Sequence, residues 1–510
     1  MKRKVSMLEI LQCLLQVGLI YMQFLCDSKK NCSSEQKKSQ AYLILFILLV
    51  TIVKTKIEGN RWMFIIWLPS FILSIFHKIF HTYTQVEVVY ISALLSTLYI
   101  LLMICFPIYE IPQVIDQTEQ SEKYPKYNVS CASFPIDQQK SSMITAYYPT
   151  SPEKSNSESS EGDLCMLESD FWDYHYSSIF KQYKVPGFIL DIALSGLKKY
   201  KVKVEANLPV IQKTNLKPII FSHGFMGSRT MYSIIMKQLA SLGYVVFCVE
   251  HYDVIKEKEV EKIKDKVLRK NLFKEVKEQE LEARASKIKS MIDLIQDEKE
   301  LNRLFKQNLS LDKNNITLMG HSYGGATVQC SAFKYTEHVK ALVCLDPWLF
   351  PMKDSYLEQK LNIPVLYINS ESFNKTMLWA EIDQRNQKIF QNCQQKEKSL
   401  ICYVKDMDHI QQGDIGLAIP YEAKIVNLIR YPLRTLEFNL YNAKLIELFL
   451  NNIAFSNQKP EADHLANITK NIFNPLKRDS FQFFRQEFQQ NFDSNRQMYT
   501  LEFKGKSIFQ

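Results

Sequence analysis

Beyond residue 140, short apolar runs alternate with longer segments that have the spacing of helices. Each run contains a few Val, Ile, Leu, Phe or Tyr residues and is closed by a polar residue. The runs occupy residues 144–148, 218–222, 243–250, 316–320, 341–346, 364–370 and 400–406. Between them, helical spacing places one set of apolar residues on a common face: Leu281, Ala285, Ile288, Ile292 and Ile295. This alternation predicts an α/β fold with a mostly parallel central sheet flanked by helices, and with functional residues at the carboxyl ends of the strands.

The first 110 residues are of a different kind, because apolar residues dominate them. Four apolar stretches lie at residues 8–25, 41–53, 62–80 and 88–109. The last two have the length needed to cross a hydrocarbon core of about 30 Å. Aromatic residues near the ends and basic flanks favour membrane spans over buried core helices. We therefore expect an α-helical transmembrane region over residues 1–112, with three or four helices.

The stretch 8–25 is the least typical span, because Glu9, Gln12 and Gln16 dilute it. A cleaved signal peptide is an alternative, since the basic residues 2–4 precede it. The polar residues and the lack of a small-x-small cleavage site count against that alternative. With four spans and an inside N-terminus, most flanking Lys and Arg residues lie inside, which favours a multi-pass protein with a cytoplasmic catalytic domain. With one span fewer, the orientation of the catalytic domain is reversed. The sequence does not decide which cellular compartment holds the protein.

The chain of 510 residues is long enough for two or three units. After the transmembrane region we expect an α/β domain over 121–455 and a C-terminal extension over 456–510. The Ser/Glu-rich segment 150–162 is interpreted as a solvated surface loop. The Lys/Glu-rich segment 254–306 is most simply a solvated helix face, with a lid over a lipid site as the alternative. We expect the extension to be either a helix that contacts a partner or a membrane, or a packed or loosely ordered tail.

Composition excludes some function classes. The net charge is +9, from 63 basic and 54 acidic residues, and no basic stripe is interleaved with aromatics. Nucleic-acid binding is therefore not expected, whereas a weak attraction to anionic membrane lipids is. The 11 cysteines have no CxxC or zinc-ligand spacing, so we interpret them as buried small hydrophobic residues rather than a disulfide framework.

The segment "NNITLMGHSYGGATV", at 314–328, places Ser322 in a Gly-x-Ser-x-Gly pentapeptide between a predicted strand and a predicted helix. Such a turn holds a serine in a strained conformation, and glycines at 320 and 324 avoid clashes around it. A serine hydroxyl is a poor nucleophile unless a base lies within hydrogen-bonding reach. Ser322 is therefore a candidate nucleophile, whereas His321 is interpreted as a packing residue beside the turn.

The base is expected to follow the nucleophile along the chain, in the order Ser, acid, His. Only His338, His409 and His464 come after Ser322. His338 precedes any acid at a strand end, and His464 lies in a polar tail without a strand before it. His409 follows the strand predicted at 400–406, on a loop, so we expect it to be the base.

Asp346 ends the predicted strand "ALVCLD" and is the candidate acid. A carboxylate at a strand end can accept the imidazole N–H and hold the base in its productive tautomer. Asp406 and Asp408 are alternatives because they are near His409 in sequence, although the order rule favours an acid upstream of the base.

Two backbone N–H groups are needed to stabilise the negative charge of an ester-cleaving transition state. One is expected from Tyr323, the residue after the nucleophile. The other is expected from Phe225, because "FSHGFMG" follows the strand predicted at 218–222. His223 is interpreted as a residue that orders this oxyanion loop.

Three segments resemble the plasma and intracellular type II platelet-activating factor acetylhydrolases. They are "KPIIFSHGFMGSRTMYSIIMKQLASLGYVVFCVEHYD" at 217–253, "ITLMGHSYGGATV" around Ser322, and "ALVCLDPWLFP" at 341–351. The resemblance covers roughly residues 124–452. It implies an α/β-hydrolase fold with Ser322 as nucleophile, Asp346 as acid, His409 as base, and Phe225 and Tyr323 as oxyanion donors. These are also the residues selected from the sequence pattern.

The resemblance implies a calcium-independent phospholipase that removes short or oxidised sn-2 acyl groups. Its expected partners are a phospholipid substrate and membrane lipids, without a cofactor or metal; protein partners stay unknown. The multi-span N-terminus departs from the best-known members, and the Lys/Glu-rich segment is poorly matched. Two alternatives stay open: a general carboxylesterase or dienelactone-hydrolase-like enzyme acting on soluble esters, and a membrane-anchored scaffold without catalysis.

Overall fold

The fold is described from a computed structural model of the chain. The structure describes residues 3–4, 6–28, 33–58, 63–79, 86–105, 108–109, 127–136, 142–150, 164–166, 199–212, 215–252, 260, 262–374, 379–419, 434–455, 487–493 and 498–504. The chain divides into two compact units. The first comprises Met1–Glu110, Cys165–Lys201 and Ala418–Glu422, and the second comprises Ile111–Leu164, Val202–Leu417 and Ala423–Gln510. The expected boundaries at 112, 121 and 456 lie outside the described residues, so that division stays a prediction.

Four helices make up most of the first unit. They are α1 (Met7–Ser28), α2 (Ser34–Ile57), α3 (Phe64–Ile79) and α4 (Val86–Cys105). Short strands Arg3–Lys4 and Ile108–Tyr109 pair antiparallel. Three helical segments are long and apolar enough to cross a membrane, by length and composition: Met7–Cys26, Ser34–Ile57 and Glu87–Cys105. Helix α3 is apolar but shorter.

The polar residues of α1 face the interior of this helical unit. Glu9, Gln12 and Gln16 are buried, whereas Leu14 is 65% exposed on the same helix. The Tyr99 hydroxyl of α4 donates to Glu9 at 2.9 Å, and the Gln12 amide donates to Thr51 at 2.9 Å. Polar side chains inside and apolar side chains outside are the arrangement expected of helices surrounded by lipid. The buried positions of these side chains account for the polar residues within the apolar stretch 8–25.

An 11-stranded sheet forms the centre of the second unit. Its strands are β1 (Asn128–Pro135), β2 (Met143–Thr150), β3 (Glu205–Ala206), β4 (Lys217–Ser222), β5 (Tyr244–Val249), β6 (Ile316–His321), β7 (Val339–Leu345), β8 (Val365–Ser370), β9 (Leu400–Val404), β10 (Glu487–Asp493) and β11 (Met498–Lys504). Their order is β10-β11-β9-β8-β7-β6-β4-β5-β2-β1-β3. The strands from β11 to β5 in this order run parallel, while β2 and β10 join antiparallel.

Nine helices accompany the sheet. They are α5 (Ser233–Ser241), α6 (Lys266–Gln296), α7 (Glu298–Phe305), α8 (Tyr323–Lys334), α9 (Asp354–Leu357), α10 (Glu371–Asn374), α11 (Trp379–Asn392), α12 (Ile415–Ala418) and α13 (Thr435–Phe449) among the described residues. Every residue of β5, β6 and β8 is buried. Strands covered on both faces need continuous apolar sequence, which is why these segments stand out as apolar runs. The prediction of an α/β fold from seven such runs is confirmed, since each run coincides with one strand.

Helix α6 begins after Asp265, whose carboxylate caps the backbone N–H groups of Val267 and Leu268. Its predicted apolar face is confirmed, because Leu281, Ala285, Ile288, Ile292 and Ile295 are all buried. However, Lys277 and Arg284 are buried as well. The interpretation of this Lys/Glu-rich segment as a solvated face is therefore wrong for these two side chains.

Two remaining sequence interpretations meet the structure only in part. The loop expected at 150–162 lies outside the described residues, apart from Thr150 at the end of β2. In the C-terminal extension, the described segments form β10 and β11 rather than a contact helix. Seven free cysteines are buried among the described residues, as interpreted, whereas Cys105 is exposed and Cys26 is disulfide-bonded.

Candidate active site

The register of the sheet brings three chemically important strand ends together. Gly320 of β6 pairs with Ser222 of β4, and His321 pairs with Leu345 of β7. The next residues along the chain are His223, Ser322 and Asp346. The carboxyl ends of parallel strands lie on one edge of the sheet, so residues far apart in sequence converge there.

Ser322 lies on the sharp turn between β6 and α8, with φ 57° and ψ −118°. A non-glycine residue rarely adopts such a positive φ, and the surrounding backbone has to be packed closely to hold it. A Cβ on Gly320 would lie 2.2 Å from the Gly324 carbonyl oxygen, and a Cβ on Gly324 would lie 2.0 Å from that of Ser222. Glycine is required at both positions because backbone fills the space. The predicted nucleophile elbow has this geometry.

Ser322, His409 and Asp346 form a continuous row of hydrogen bonds. His409 Nε2 lies 3.0 Å from Ser322 Oγ, and His409 Nδ1 lies 3.1 Å from Asp346 Oδ2. The aspartate side chain is fully buried, whereas that of His409 is 28% exposed. This arrangement lets His409 accept the serine proton on one nitrogen while the carboxylate holds the proton on the other.

Asp346 is held by more than the imidazole. Its Oδ1 accepts the Ser370 backbone N–H at 2.6 Å, and its Oδ2 accepts the Ser370 hydroxyl at 2.6 Å. The Gln412 amide also donates to Oδ2, at 3.3 Å. These contacts satisfy both oxygens of the buried carboxylate and fix its direction toward the His409 ring.

The loop that carries His409 is anchored at several points. The His409 N–H donates to the Ser372 hydroxyl at 2.7 Å, and its ring stacks on Phe373 with centroids 4.6 Å apart. Five residues later, the buried Asp414 accepts backbone N–H groups of Ser233 and Ile234 at the start of α5. The His409 ring is therefore positioned by the loop and not only by its own hydrogen bonds.

The alternative acids near His409 have other contacts. Asp408 caps the short 3-10 turn His409–Gln412, with its side chain accepting the Gln411 N–H. Asp406 has φ 62° and lies in the turn after β9, where its N–H donates to Glu371. Among the described contacts, the carboxylate beside the His409 ring is that of Asp346.

His321 is buried beside the base. Its ring centroid is 4.6 Å from that of His409, and its Nδ1 is 2.9 Å from the Tyr232 hydroxyl. Burial, and to a lesser degree the electrostatic effect of the neighbouring His409, lowers the pKa of His321 well below its ordinary value. A neutral imidazole next to His409 adds no repulsive charge to that ring. The Tyr232 hydroxyl also accepts the Gly224 N–H at 3.1 Å, and thus links this ring to the oxyanion loop.

The oxyanion loop follows β4 and is fastened by buried charges. His223 Nε2 lies 2.9 Å from Glu250, which also accepts from the Arg229 guanidinium at 3.1 Å. Burial raises the pKa of Glu250, but His223 and Arg229 outweigh it and lower the pKa to about 2. Gly224 lies beside the nucleophile, since a Cβ there would be 3.3 Å from Ser322 Cβ. This places the next residue, Phe225, at the edge of the site, with its ring 6.3 Å from that of Tyr323.

Several supporting residues escaped sequence analysis. Ser370, Tyr232 and Asp414 are each adjacent to a predicted strand or loop, but serine, tyrosine and aspartate occur throughout such segments. Arg284 belongs to a Lys/Glu-rich run, where one more cation carries no signal of burial. Only the strand order and the convergence of strand ends reveal their contacts.

His321, Asp346 and His409 each offer one ligand atom, and these atoms lie within 4.8 Å of one another. That spacing fits a metal ion, but the same atoms already have hydrogen-bonding roles. Asp346 Oδ2 is hydrogen-bonded to His409 Nδ1, and His321 Nδ1 is hydrogen-bonded to the Tyr232 hydroxyl. Hydrogen bonding accounts for the cluster.

A mostly parallel sheet, a serine elbow after a central strand and a histidine on a loop after a later strand define the α/β-hydrolase fold class. Within that class, the family model "Platelet-activating factor acetylhydrolase, isoform II" matches residues 114–429. The chain belongs to this family. The resemblance found in the sequence is thereby confirmed.

Curated relatives carry the name platelet-activating factor acetylhydrolase. The protein of Cavia porcellus is 29% identical over 238 residues, covering 41% of this chain and 51% of the relative. That of Canis lupus familiaris is 26% identical over 275 residues, covering 48% and 59%. That of Gallus gallus is 27% identical over 208 residues, covering 34% and 47%. The chain thus spans about half the length of the curated relatives it matches.

Among solved structures, a ferulic acid esterase from Streptomyces cinnamoneus is similar, with a TM-score of 0.42 and 16% identity. The similarity covers 66% of this chain and 94% of the esterase.

Proposed function

We propose that the protein is a membrane-anchored serine hydrolase that removes short or oxidised sn-2 acyl groups from phospholipids, without calcium. The hydrogen-bonded row of Ser322, His409 and Asp346 is the observation that carries this proposal. Family membership supports the phospholipid substrate, and the relatives' name supports an acetyl-sized acyl group.

In the first half of the reaction, the Ser322 hydroxyl gives its proton to His409 Nε2 while Oγ bonds to the sn-2 carbonyl carbon. The carbonyl oxygen becomes an oxyanion, which the N–H groups of Phe225 and Tyr323 stabilise by about 3 kcal/mol each. When the ester C–O bond breaks, His409 returns the proton to the departing sn-2 oxygen of the lysophospholipid. An acyl-enzyme is left on Ser322.

In the second half, His409 takes a proton from water as the water oxygen attacks the acyl carbonyl. The bond to Ser322 breaks, the proton returns to its Oγ, and the carboxylic acid leaves. Asp346 holds the Nδ1–H throughout and stabilises the imidazolium. The whole cycle consumes one water and requires no metal.

The apolar helices support a role at membranes. Three segments of the first unit meet the length and composition needed to span a bilayer. A phospholipid substrate also resides in bilayers, so anchoring raises the local concentration of enzyme at its substrate. We retain the proposal of a multi-pass protein, with the catalytic unit on the cytoplasmic side as the orientation to be tested.

The deciding experiment measures hydrolysis by the full-length protein of phosphocholine lipids that differ only in sn-2 length. We expect preference for the acetyl ester, activity in the presence of a calcium chelator, and loss of activity by about 10⁶-fold in Ser322→Ala. Ser286→Ala, an exposed serine on α6, is the matched control and keeps wild-type activity.

Other outcomes separate the alternatives. Equal or higher activity on soluble esters than on phospholipids identifies a general carboxylesterase or dienelactone-hydrolase-like enzyme. Lack of labelling by a fluorophosphonate probe, or labelling that persists in Ser322→Ala, supports a non-catalytic scaffold.

A further inference from the structure

The buried face of α6 lies directly behind the oxyanion loop. Arg284, which is 2% exposed, donates from one guanidinium nitrogen to the His223 carbonyl oxygen at 2.8 Å. Its second terminal nitrogen lies 3.5 Å from the Gly224 carbonyl oxygen. The same guanidinium lies 4.4 Å from the centroid of the Tyr323 ring. One cation therefore contacts the backbone leading to one proposed oxyanion donor and the side chain of the other.

We propose that Arg284 is a positioning residue that aims the Phe225 N–H at the developing oxyanion. This inference rests on the proposed hydrolase function. The Gly224 carbonyl and the Phe225 N–H belong to one peptide group, and in a trans peptide they point in opposite directions. A contact that holds the carbonyl oxygen toward α6 turns the Phe225 N–H to the opposite side of the peptide, which in this proposal is the side that faces Ser322.

Other contacts fix the same peptide group. The Gly224 carbonyl oxygen also accepts from the Gly227 N–H at 3.1 Å and faces His223 Nδ1 at 2.8 Å. Donors crowded around a carbonyl polarise its peptide and strengthen the N–H as a donor. Arg284 adds a full positive charge in a buried setting, where a charge acts over longer distance than in water.

Lys277, about two helical turns earlier on α6, completes the arrangement. Its buried ammonium lies 3.9 Å from the centroid of the Phe225 ring and pairs with Glu280 at 2.8 Å. Its backbone carbonyl accepts the Tyr323 hydroxyl. Both proposed oxyanion donors are thus held to α6 through their side chains, and Arg284 acts on the backbone between them.

The test compares Arg284→Met and Arg284→Lys in the full-length protein with Arg269→Met, an exposed arginine on the same helix. We measure kcat and KM for the acetyl phospholipid, and the affinities of two inhibitors. A trifluoromethyl ketone forms an oxyanion on Ser322, whereas an sn-2 ether analogue has no carbonyl and reports ground-state binding alone.

For Arg284→Met we expect kcat to fall by about tenfold to a hundredfold, which is less than the loss of a whole oxyanion donor. KM and the affinity of the ether analogue stay within about twofold, while the affinity of the ketone falls in parallel with kcat. Arg284→Lys keeps the charge without the planar fork and recovers part of the loss. Arg269→Met behaves as wild type.

The proposal is overturned if folded Arg284→Met keeps kcat within about twofold, or if kcat falls while the ketone binds as tightly as before. If Arg284→Met does not fold, Arg284→Lys decides, because unchanged kcat and ketone affinity in that variant overturn the proposal equally. Failure of the hydrolase function looks different, since the wild type itself would then hydrolyse no phospholipid in a Ser322-dependent way.

Discussion

At the scale of single residues, Asp346 shows how several hydrogen bonds hold a buried carboxylate in one direction. Replacement by asparagine keeps the shape but puts an amide N–H₂ where an oxygen accepts the His409 Nδ1–H. The imidazole is then forced into the wrong tautomer, and we expect kcat of Asp346→Asn to fall by about 10⁴-fold. Steady-state hydrolysis measures it.

Asp408→Asn is the discriminating control for this prediction. Its side chain caps the turn at His409 and is not the carboxylate beside the ring, so kcat should change little. A loss of the predicted size in Asp408→Asn, with Asp346→Asn nearly active, would assign the acid to the other residue.

Gly324 gives a second prediction at this scale. A Cβ there would lie 2.0 Å from the Ser222 carbonyl oxygen and 2.5 Å from that of His223, both backbone atoms. Gly324→Ala must displace the elbow or the oxyanion loop, and we expect a stability loss of about 1–3 kcal/mol together with loss of activity. Thermal unfolding in detergent and kcat report the two effects.

Gly18→Ala serves as the comparison, because its nearest atom would be 3.9 Å away, an ordinary contact. Retained stability and activity in Gly324→Ala would show that the elbow is less tightly packed than described.

At the scale of elements, Glu250 fastens the end of β5 to the loop after β4. Burial raises its pKa, but His223 and Arg229 bring it from an ordinary 4.5 down to about 2. A carboxyl whose folded pKa is depressed stabilises the fold above pH 4.5, and that contribution is lost as the pH falls through about 2. The difference corresponds to a contribution on the order of 3 kcal/mol.

We therefore expect Glu250→Gln to be less stable at neutral pH and to lose less stability on acidification below pH 4.5. Melting temperatures of the variant and the wild type, measured at successive pH values, give the slope of stability against pH for each protein. Equal slopes for the variant and the wild type would mean that Glu250 does not titrate differently in the folded and unfolded states.

The elements also show where sequence reasoning succeeds. Seven of the strands were predictable because burial on both faces demands continuous apolar sequence, and their order placed Ser322 and Asp346 at strand ends and His409 on the loop after β9. Strand β1, the two-residue β3, and β10 and β11 have no such signal. Arg284 was missed for a related reason: its contacts with the loop after β4 and with Tyr323 depend on where α6 packs against the sheet, and spacing along the chain does not encode that packing.

At the scale of the whole molecule, the first unit is expected to fix the protein in a bilayer. Its helices expose apolar side chains and bury Glu9, Gln12 and Gln16, the reverse of a water-soluble bundle. We predict that the full-length protein stays in the membrane pellet after alkaline carbonate extraction, while a peripheral protein in the same sample is released. Release of this protein into the supernatant would contradict a transmembrane role for these helices.

The hydrogen bonds between Asp414 and the first turn of α5 limit which parts of the site can move to accept a different substrate. Because hydrogen bonds from Asp414 fix the loop that bears His409 to α5, any movement that makes room for a larger ester has to occur in other segments around the site. Mutant libraries aimed at longer acyl chains should accordingly spare residues 407–414 and diversify the segments that lack such a fastening.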